Sequence, residues 1–436
     1  MRSPGQVSFK LVALIIGITE LNRKNNFFSS ARPLVDIKRL GIAATSRGCA
    51  RRIAWICPER YGRSGFCSQR FKSSVHTIPF SERGGIARGC LDLLSGRFPA
   101  FVLGGGVGAL LPVFHFHEVT RDDLEPKLRH LAENGYRSVT AEEIAAYVRG
   151  DLKLRERAVA LCFDDAWKSL SSVAAPLLKQ HGLTAIAYAI PARLTEDGLG
   201  SPLVTWSELV ALHASGVVDV QSHTYSHSMV FTTAQVVDFI RPGYIDTPYL
   251  NRPQLTPPPA LEFVRPADLG APLYPVRSRM SDAPRALISR DIHDRCVELV
   301  RRGGGADFFA RRGWQAQLRS VAAPASRPPD ESSDEQARAL EDELARSRVI
   351  LNDRLKTQSV RHICLPWGVA GRRTAALLAR VGYRSAFANR LRGVHAVRQG
   401  DDPYWLKRLP NRYIPLLPGR GRRYWFSLSS RMTAPT

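Results

Sequence analysis

Apolar and polar positions alternate in blocks from about residue 98 onward. Residues 108–116 (GALLPVFHF) are a continuous apolar run bounded by glycines, which predicts a buried strand. Residues 121–135 place Leu124, Leu128 and Leu131 on one face of a helix that stops at Gly135. Tyr136–Val139 reads as a short strand, and Thr140 with Glu143 three residues on is a capping-box pattern opening the next helix. A strand at 157–163 (RAVALCF), a helix at 168–181 and a strand at 184–190 follow. Then come a helix at 205–215, capped by Thr205 with Glu208, and a strand at 217–222. Strand and helix in short alternation predict parallel β/α units.

Residues 229–340 break this rhythm. They are rich in proline, and 321–335 (VAAPASRPPDESSDE) reads as a disordered linker. A helix resumes near 334 with acids early and basic residues late, as the helix dipole favours. A strand at 360–366, a helix at 371–381 and a strand at 383–388 restore the alternation. The expected organisation is a basic, poorly structured extension (1–97), a first barrel part (98–228), an insertion or linker (229–340) and a second barrel part with a basic C-terminal tail (341–436). A chain of 436 residues is long enough for a large core without disulfide staples.

Charge alters this picture little. The formal net charge is +23, with +12 in residues 1–100, +12 in 371–436 and −1 between them. The near-neutral middle lacks any recognisable nucleic-acid motif, so no nucleic-acid partner is expected. The segment 418–426 (PGRGRRYWF) reads as a solvated tail. The seven cysteines contain no C-x-x-C and imply reduced thiols, and Cys162 reads as a core thiol. Residues 11–19 (LVALIIGIT) resemble a signal-peptide core but lack a cleavage site and are too short to span a bilayer. A cytoplasmic or membrane-peripheral location is therefore favoured over the cell envelope.

Reactive residues follow the ends of successive predicted strands: His117, then Asp164 and Asp165, then His223. In a β/α barrel such positions converge on one face. Two adjacent carboxylates after a buried strand are costly unless paired or bound to a metal. His223-Thr-Tyr-Ser-His227 supplies two imidazoles that can face one cation. One carboxylate and two imidazoles make a facial set with open positions, leaving the second carboxylate as a base. His115 and His117 alternate with Phe114 and Phe116, so the imidazoles face one side of the strand. His362 reads as structural, and Trp167 and Trp206 as core.

These residues carry a family resemblance. Cys162-Phe163-Asp164-Asp165-Ala166 resembles the T-F-D-D-G motif of the polysaccharide deacetylases (carbohydrate esterase family 4, the NodB-homology domain). His223–His227 resembles the family's H-[ST]-x-x-H, Pro112–His117 its opening strand, and Leu365-Pro366-Trp367-Gly368 its Y-P-Y-G element. The resemblance covers roughly 108–230 and 341–415. It implies a distorted (β/α)7-type, TIM-like barrel in which Asp165, His223 and His227 hold a divalent metal, zinc first. It also implies Asp164 as catalytic base, the Trp367 N–H as an oxyanion donor, and a histidine as general acid, His117 ahead of His395. The implied reaction is hydrolysis of N-acetyl groups on an amino-sugar polymer or glycoconjugate. Ala166 stands where the family has glycine, and the D-x-x-D-W and L-x-H motifs are absent. The alternative is a catalytically weakened barrel that binds glycan.

Overall fold

The computed structural model describes residues 98–154, 157–243, 249–257, 260–323, 329–388 and 395–424. The expected N-terminal extension lies outside them, as does the chain from 425 onward. The described residues fall within one compact unit, Ser73–Thr436.

The first half alternates β1 (Val113–Phe116), α1 (Arg121–Glu133), β2 (Arg137–Ser138), α2 (Ala141–Arg149) and β3 (Ala158–Asp164). A π-helical turn (Leu170–Ala174) leads into α3 (Ala175–Gln180), followed by β4 (Ala185–Ala189), α4 (Trp206–Ala214) and β5 (Val218–Ser222). After the insertion come α7 (Ser333–Leu355), β12 (His362–Cys364), α8 (Arg372–Val381), β13 (Ser385–Phe387) and β14 (Leu409–Pro410). Strands pair in the order β13-β12-β5-β4-β3-β1-β14, with β2 beside β3, and every pairing in this sheet is parallel. One segment joins the edges of the curled sheet. Leu406 bridges Phe387 of β13 in parallel, and three residues later Leu409 pairs with Phe114 of β1.

Strand alternation sorts the side chains into two layers. Val159, Leu161 and Phe163 of β3 pack outward with Leu124, Leu128 and Leu177 of the surrounding helices. Ala160 and Cys162 point inward, with Val113 of β1, Ile186 and Tyr188 of β4, Cys364 of β12 and Phe387 of β13. The same alternation carries Asp164 inward at the end of β3. Cys162 is a fully buried thiol whose pKa burial raises, in keeping with a core role. His362 is buried too, hydrogen-bonded to Ser385 Oγ at 2.8 Å and 3.2 Å from Glu142 Oε2.

The insertion is folded. It contains β6 (Met229–Phe231), β7 (Asp238–Phe239), β8 (Gln254–Thr256), β9 (Glu262–Phe263), β10 (Pro272–Leu273) and β11 (Val276–Ser278), then α5 (Arg290–Arg302) and α6 (Trp314–Ala322). The strands form three antiparallel ribbons, β6/β11, β7/β10 and β8/β9. Apolar clusters around Phe231 and Tyr274, and around Phe239, Ile292 and Phe308, hold them together. The expected linker 321–335 is largely ordered where described. Ser332 caps α7, and Glu331 forms a buried ion pair with Arg279, Nη2 to Oε2 2.8 Å. Proline content concealed short ribbons, because proline is tolerated at strand edges. The basic segment 418–424 also departs from the expected solvated tail. Arg422 donates to the carbonyl oxygens of Phe101 (2.8 Å), Gly105 (2.7 Å) and Leu416 (2.9 Å), clasping the entry to the barrel. Among the described residues no helix is long and apolar enough to cross a membrane.

Both expected capping boxes form, at Thr140/Glu143 and Thr205/Glu208. Removing the second, Thr205→Ala, lowers stability by about 1 kcal/mol. Urea unfolding of the full chain checks this as a reduced midpoint with unchanged slope, and Thr205→Ser keeps most of the loss from appearing.

Candidate metal and catalytic site

The carboxyl ends of β1, β3, β5 and β12 deliver the candidate residues to one mouth of the barrel. Asp164 is the last residue of β3, and the chain then turns sharply through Asp165 (φ 69°) and Ala166 (φ 57°). Left-handed backbone at two consecutive non-glycine residues is strained. Ala166 therefore occupies the conformation for which the family's glycine is suited. The turn separates the two carboxylates, so that they have different neighbours.

Asp165 meets the two imidazoles. His223 Nε2 lies 3.3 Å and His227 Nε2 3.7 Å from Asp165 Oδ1, and all three side chains are buried. Their ligand atoms lie within 4.8 Å of one another. Asp165 Oδ1 has no hydrogen-bond partner in the structure, while Oδ2 accepts from Trp167 Nε1 at 3.0 Å. A buried carboxylate oxygen facing two imidazole nitrogens with no donor of its own is the arrangement a cation completes. The outer ring nitrogens have partners: His223 Nδ1 is 2.6 Å from the Cys364 carbonyl and His227 Nδ1 is 3.3 Å from the Leu250 carbonyl. Those contacts set Nδ1 as the protonated nitrogen and aim Nε2 at Asp165. The N,N,O set therefore fits a divalent metal.

Burial pushes the His227 pKa down to about 3, which keeps its imidazole neutral and able to coordinate. For His223 burial acts the same way, but Cys364 and the adjacent Asp165 carboxylate outweigh it and raise the pKa. The Asp165 pKa is lowered: burial opposes ionisation, and the adjacent His223 imidazole overcomes it.

Asp164 has a separate partner that the sequence pattern did not reveal. Arg408, just before β14, grips it bidentately, Nη1 to Oδ1 2.6 Å and Nη2 to Oδ2 2.8 Å. Burial raises the pKa of this carboxyl, but the guanidinium charge prevails and holds it below the usual carboxylate range. Asp164 is thus ionised but not free. His117 Nε2 stands 3.7 Å from Asp164 Oδ2, with its side chain half exposed to solvent. His115, on the same side of β1, has its pKa lowered to about 4, by burial first and then by Arg408.

The other candidates are placed as follows. Trp367 sits in a left-handed conformation (φ 54°) after β12, its ring centroid 4.2 Å from that of His227. His395 is buried two residues before Val397, whose backbone bridges Leu111, ahead of the amino end of β1. His117 follows the opposite end of that strand.

The imidazole loop itself is held by a residue with no sequence signal of its own. Glu343, buried in α7, accepts from the backbone N–H of Ser226 at 2.9 Å and from the Ser226 hydroxyl, and its carbonyl accepts from Tyr225 N at 2.9 Å. Thr224 (φ 66°) and His227 (φ 53°) are both left-handed, so these bonds restrain a strained loop. Arg408 had a fainter signal: two adjacent buried carboxylates require a cation, and the alternation through Leu406 and Arg408 points the latter inward.

Arg408→Ala leaves Asp164 buried without its counter-charge, and near neutral pH the cost is about 3–5 kcal/mol. Because the folded-state pKa of Asp164 is depressed, the pair stabilises the fold above the ordinary carboxylate range and its contribution is lost as pH falls toward the folded pKa. The difference between Arg408→Ala and the parent in denaturant unfolding therefore shrinks below about pH 4.

Residues 151–239 match the family model for polysaccharide deacetylases. The Bacillus subtilis (strain 168) protein named for that family, YxkH, is 25% identical over 127 residues, covering 27% of this chain and 44% of that protein. The poly-beta-1,6-N-acetyl-D-glucosamine N-deacetylase of Escherichia coli (strain K12) is 27% identical over 147 residues, covering 31% of this chain and 22% of that protein. The chain thus spans less than half the length of these curated relatives. The solved structure of the BpsB deacetylase domain from Bordetella bronchiseptica aligns with a TM-score of 0.44 at 16% identity, over 70% of this chain and 96% of that one. The family match spans both Asp164-Asp165 and His223–His227.

Proposed function

We propose that this protein is a metal-dependent hydrolase that removes N-acetyl groups from amino sugars of a polysaccharide or glycoconjugate. The observation that carries the reading is the buried Asp165–His223–His227 cluster, with its partnerless Oδ1, inside a segment matched by the deacetylase family. Asp165, His223 and His227 hold the cation, with zinc the first choice for a mixed imidazole–carboxylate set. A divalent metal in this position supplies Lewis acidity toward a water and an acyl oxygen.

The chain's own residues divide the remaining work. Asp164, kept ionised by Arg408, takes the proton of the attacking water. The Arg408 grip also fixes the carboxylate in one orientation, which reduces the entropy lost at attack. His117, on the solvent side of Asp164, returns a proton to the leaving amine. The Trp367 backbone N–H is the candidate donor to the developing oxyanion. Water adds to the amide carbonyl, the C–N bond breaks, and acetate and the free amine leave. A weakened, glycan-binding barrel is the second reading, and a lost ligand would have favoured it. All three ligands are present.

The full-length chain is expected to bind close to one equivalent of divalent metal and to release acetate from at least one of chitin oligomers, peptidoglycan or acetylated exopolysaccharide. In Asp165→Asn and His223→Ala both metal content and acetate release fall to background. Unchanged metal content in those variants would falsify the ligand assignment. Full metal content with no acetate from any acylated sugar favours the glycan-binding reading instead.

A further inference from the structure

The insertion meets the imidazole loop at one short turn. Tyr249–Asn251 is a single 3-10 turn, and Leu250 within it is buried in the barrel's outer core rather than in either of the insertion's own apolar clusters. Its carbonyl oxygen lies 3.3 Å from His227 Nδ1. The next residue, Asn251, accepts at Oδ1 from the indole Nε1 of Trp367 at 3.0 Å, and that indole packs on the His227 ring. Both outer surfaces of one candidate metal ligand are thus set by adjacent residues of the insertion.

A third contact reaches the same loop. Arg193, which follows β4 and is buried, donates from Nε to the Ser226 carbonyl at 3.1 Å. Its guanidinium lies 5.4 Å from the Tyr249 ring centroid and 3.2 Å from that of Phe263, both in the insertion. Burial lowers the Arg193 pKa to about 10, which leaves it a cation at neutral pH. A desolvated guanidinium between aromatic faces is strongly held. The insertion thereby locks the residue immediately before His227 as well as His227 itself.

We infer that the Tyr249–Asn251 turn is a positioning element for the metal centre: Leu250 sets the tautomer of His227, and Asn251 sets its ring plane through Trp367. The inference rests on the proposed metal-binding role of Asp165, His223 and His227. It makes the insertion a structural wall of the site rather than a separate interaction module. Asn251 does not touch the cation or the reacting atoms and acts through Trp367. Groups that orient metal-binding histidines from behind typically account for about 10–100-fold in metal affinity.

The test is metal affinity by chelator competition, read with zinc on the full-length chain. Asn251→Ala is expected to raise the zinc Kd by about tenfold, whereas Asn251→Asp, which keeps an acceptor oxygen, stays within about threefold of the parent. Trp367→Phe removes the indole donor, so adding Asn251→Ala to it has no further effect, a non-additive cycle that a general loss of stability does not produce. Failure of Asn251→Ala to fold leaves the comparison of Asn251→Asp with Asn251→Leu to decide, the first expected to bind zinc more tightly. A parent that binds zinc with unchanged affinity in the Asn251 variants, or with additive effects in the cycle, overturns the inference alone. A parent that binds no divalent metal overturns the proposed function, and this inference with it.

Discussion

Two carboxylates at adjacent positions, both buried at the end of β3, constrain everything around them. Neither can be ionised in a dry interior without compensation. The turn through Asp165 and Ala166 resolves the conflict by sending each to a different partner. Asp164 faces the guanidinium of Arg408, and Asp165 faces two imidazoles. The strained backbone at 165 and 166 is the cost of that division. It also ties chemistry to architecture, because Arg408 lies in the segment that joins β13 to β1 across the seam of the sheet.

The imidazole loop obeys a related logic. Its two left-handed residues would relax if left alone, and the protein restrains them from opposite sides. Glu343 of α7 takes the Ser226 N–H and hydroxyl, while Leu250 of the insertion takes His227 Nδ1. The loop is therefore bracketed by chain that enters the insertion and chain that leaves it. Burial raises the Glu343 pKa, and its bonds from Ser226 only partly offset that cost. Its retention there is explained by the loop geometry it imposes.

Much of the architecture was legible because strands and helices in this barrel obey simple periods. Thr140 with Glu143 and Thr205 with Glu208 announced helix starts through local bonds alone. The unbroken apolar run from Ala158 to Phe163 marked a strand buried on both faces. Asp165 and His223 each follow the end of a strand, and the i,i+4 spacing joins His227 to His223. The ribbons of the insertion were not, because strands of two or three residues carry too few positions to show a period. Arg408, Glu343 and Asn251 were hidden for another reason. Each acts on a residue distant in sequence, and for Arg408 only the alternation through Leu406 hints at an inward side chain.

The separation of Asp164 from Arg408 by 244 positions has a temporal consequence. A ribosome releases β3, with both carboxylates, long before it releases the segment that neutralises one of them. Glu343 trails the imidazole loop by 117 residues in the same way. The nascent chain therefore carries a half-built centre through most of its synthesis, with Asp164 still hydrated and the sheet still open. Contacts of such high sequence separation form late and slowly. Release of the last barrel segment, Leu406–Pro410, is then the event that both shuts the sheet and dehydrates Asp164.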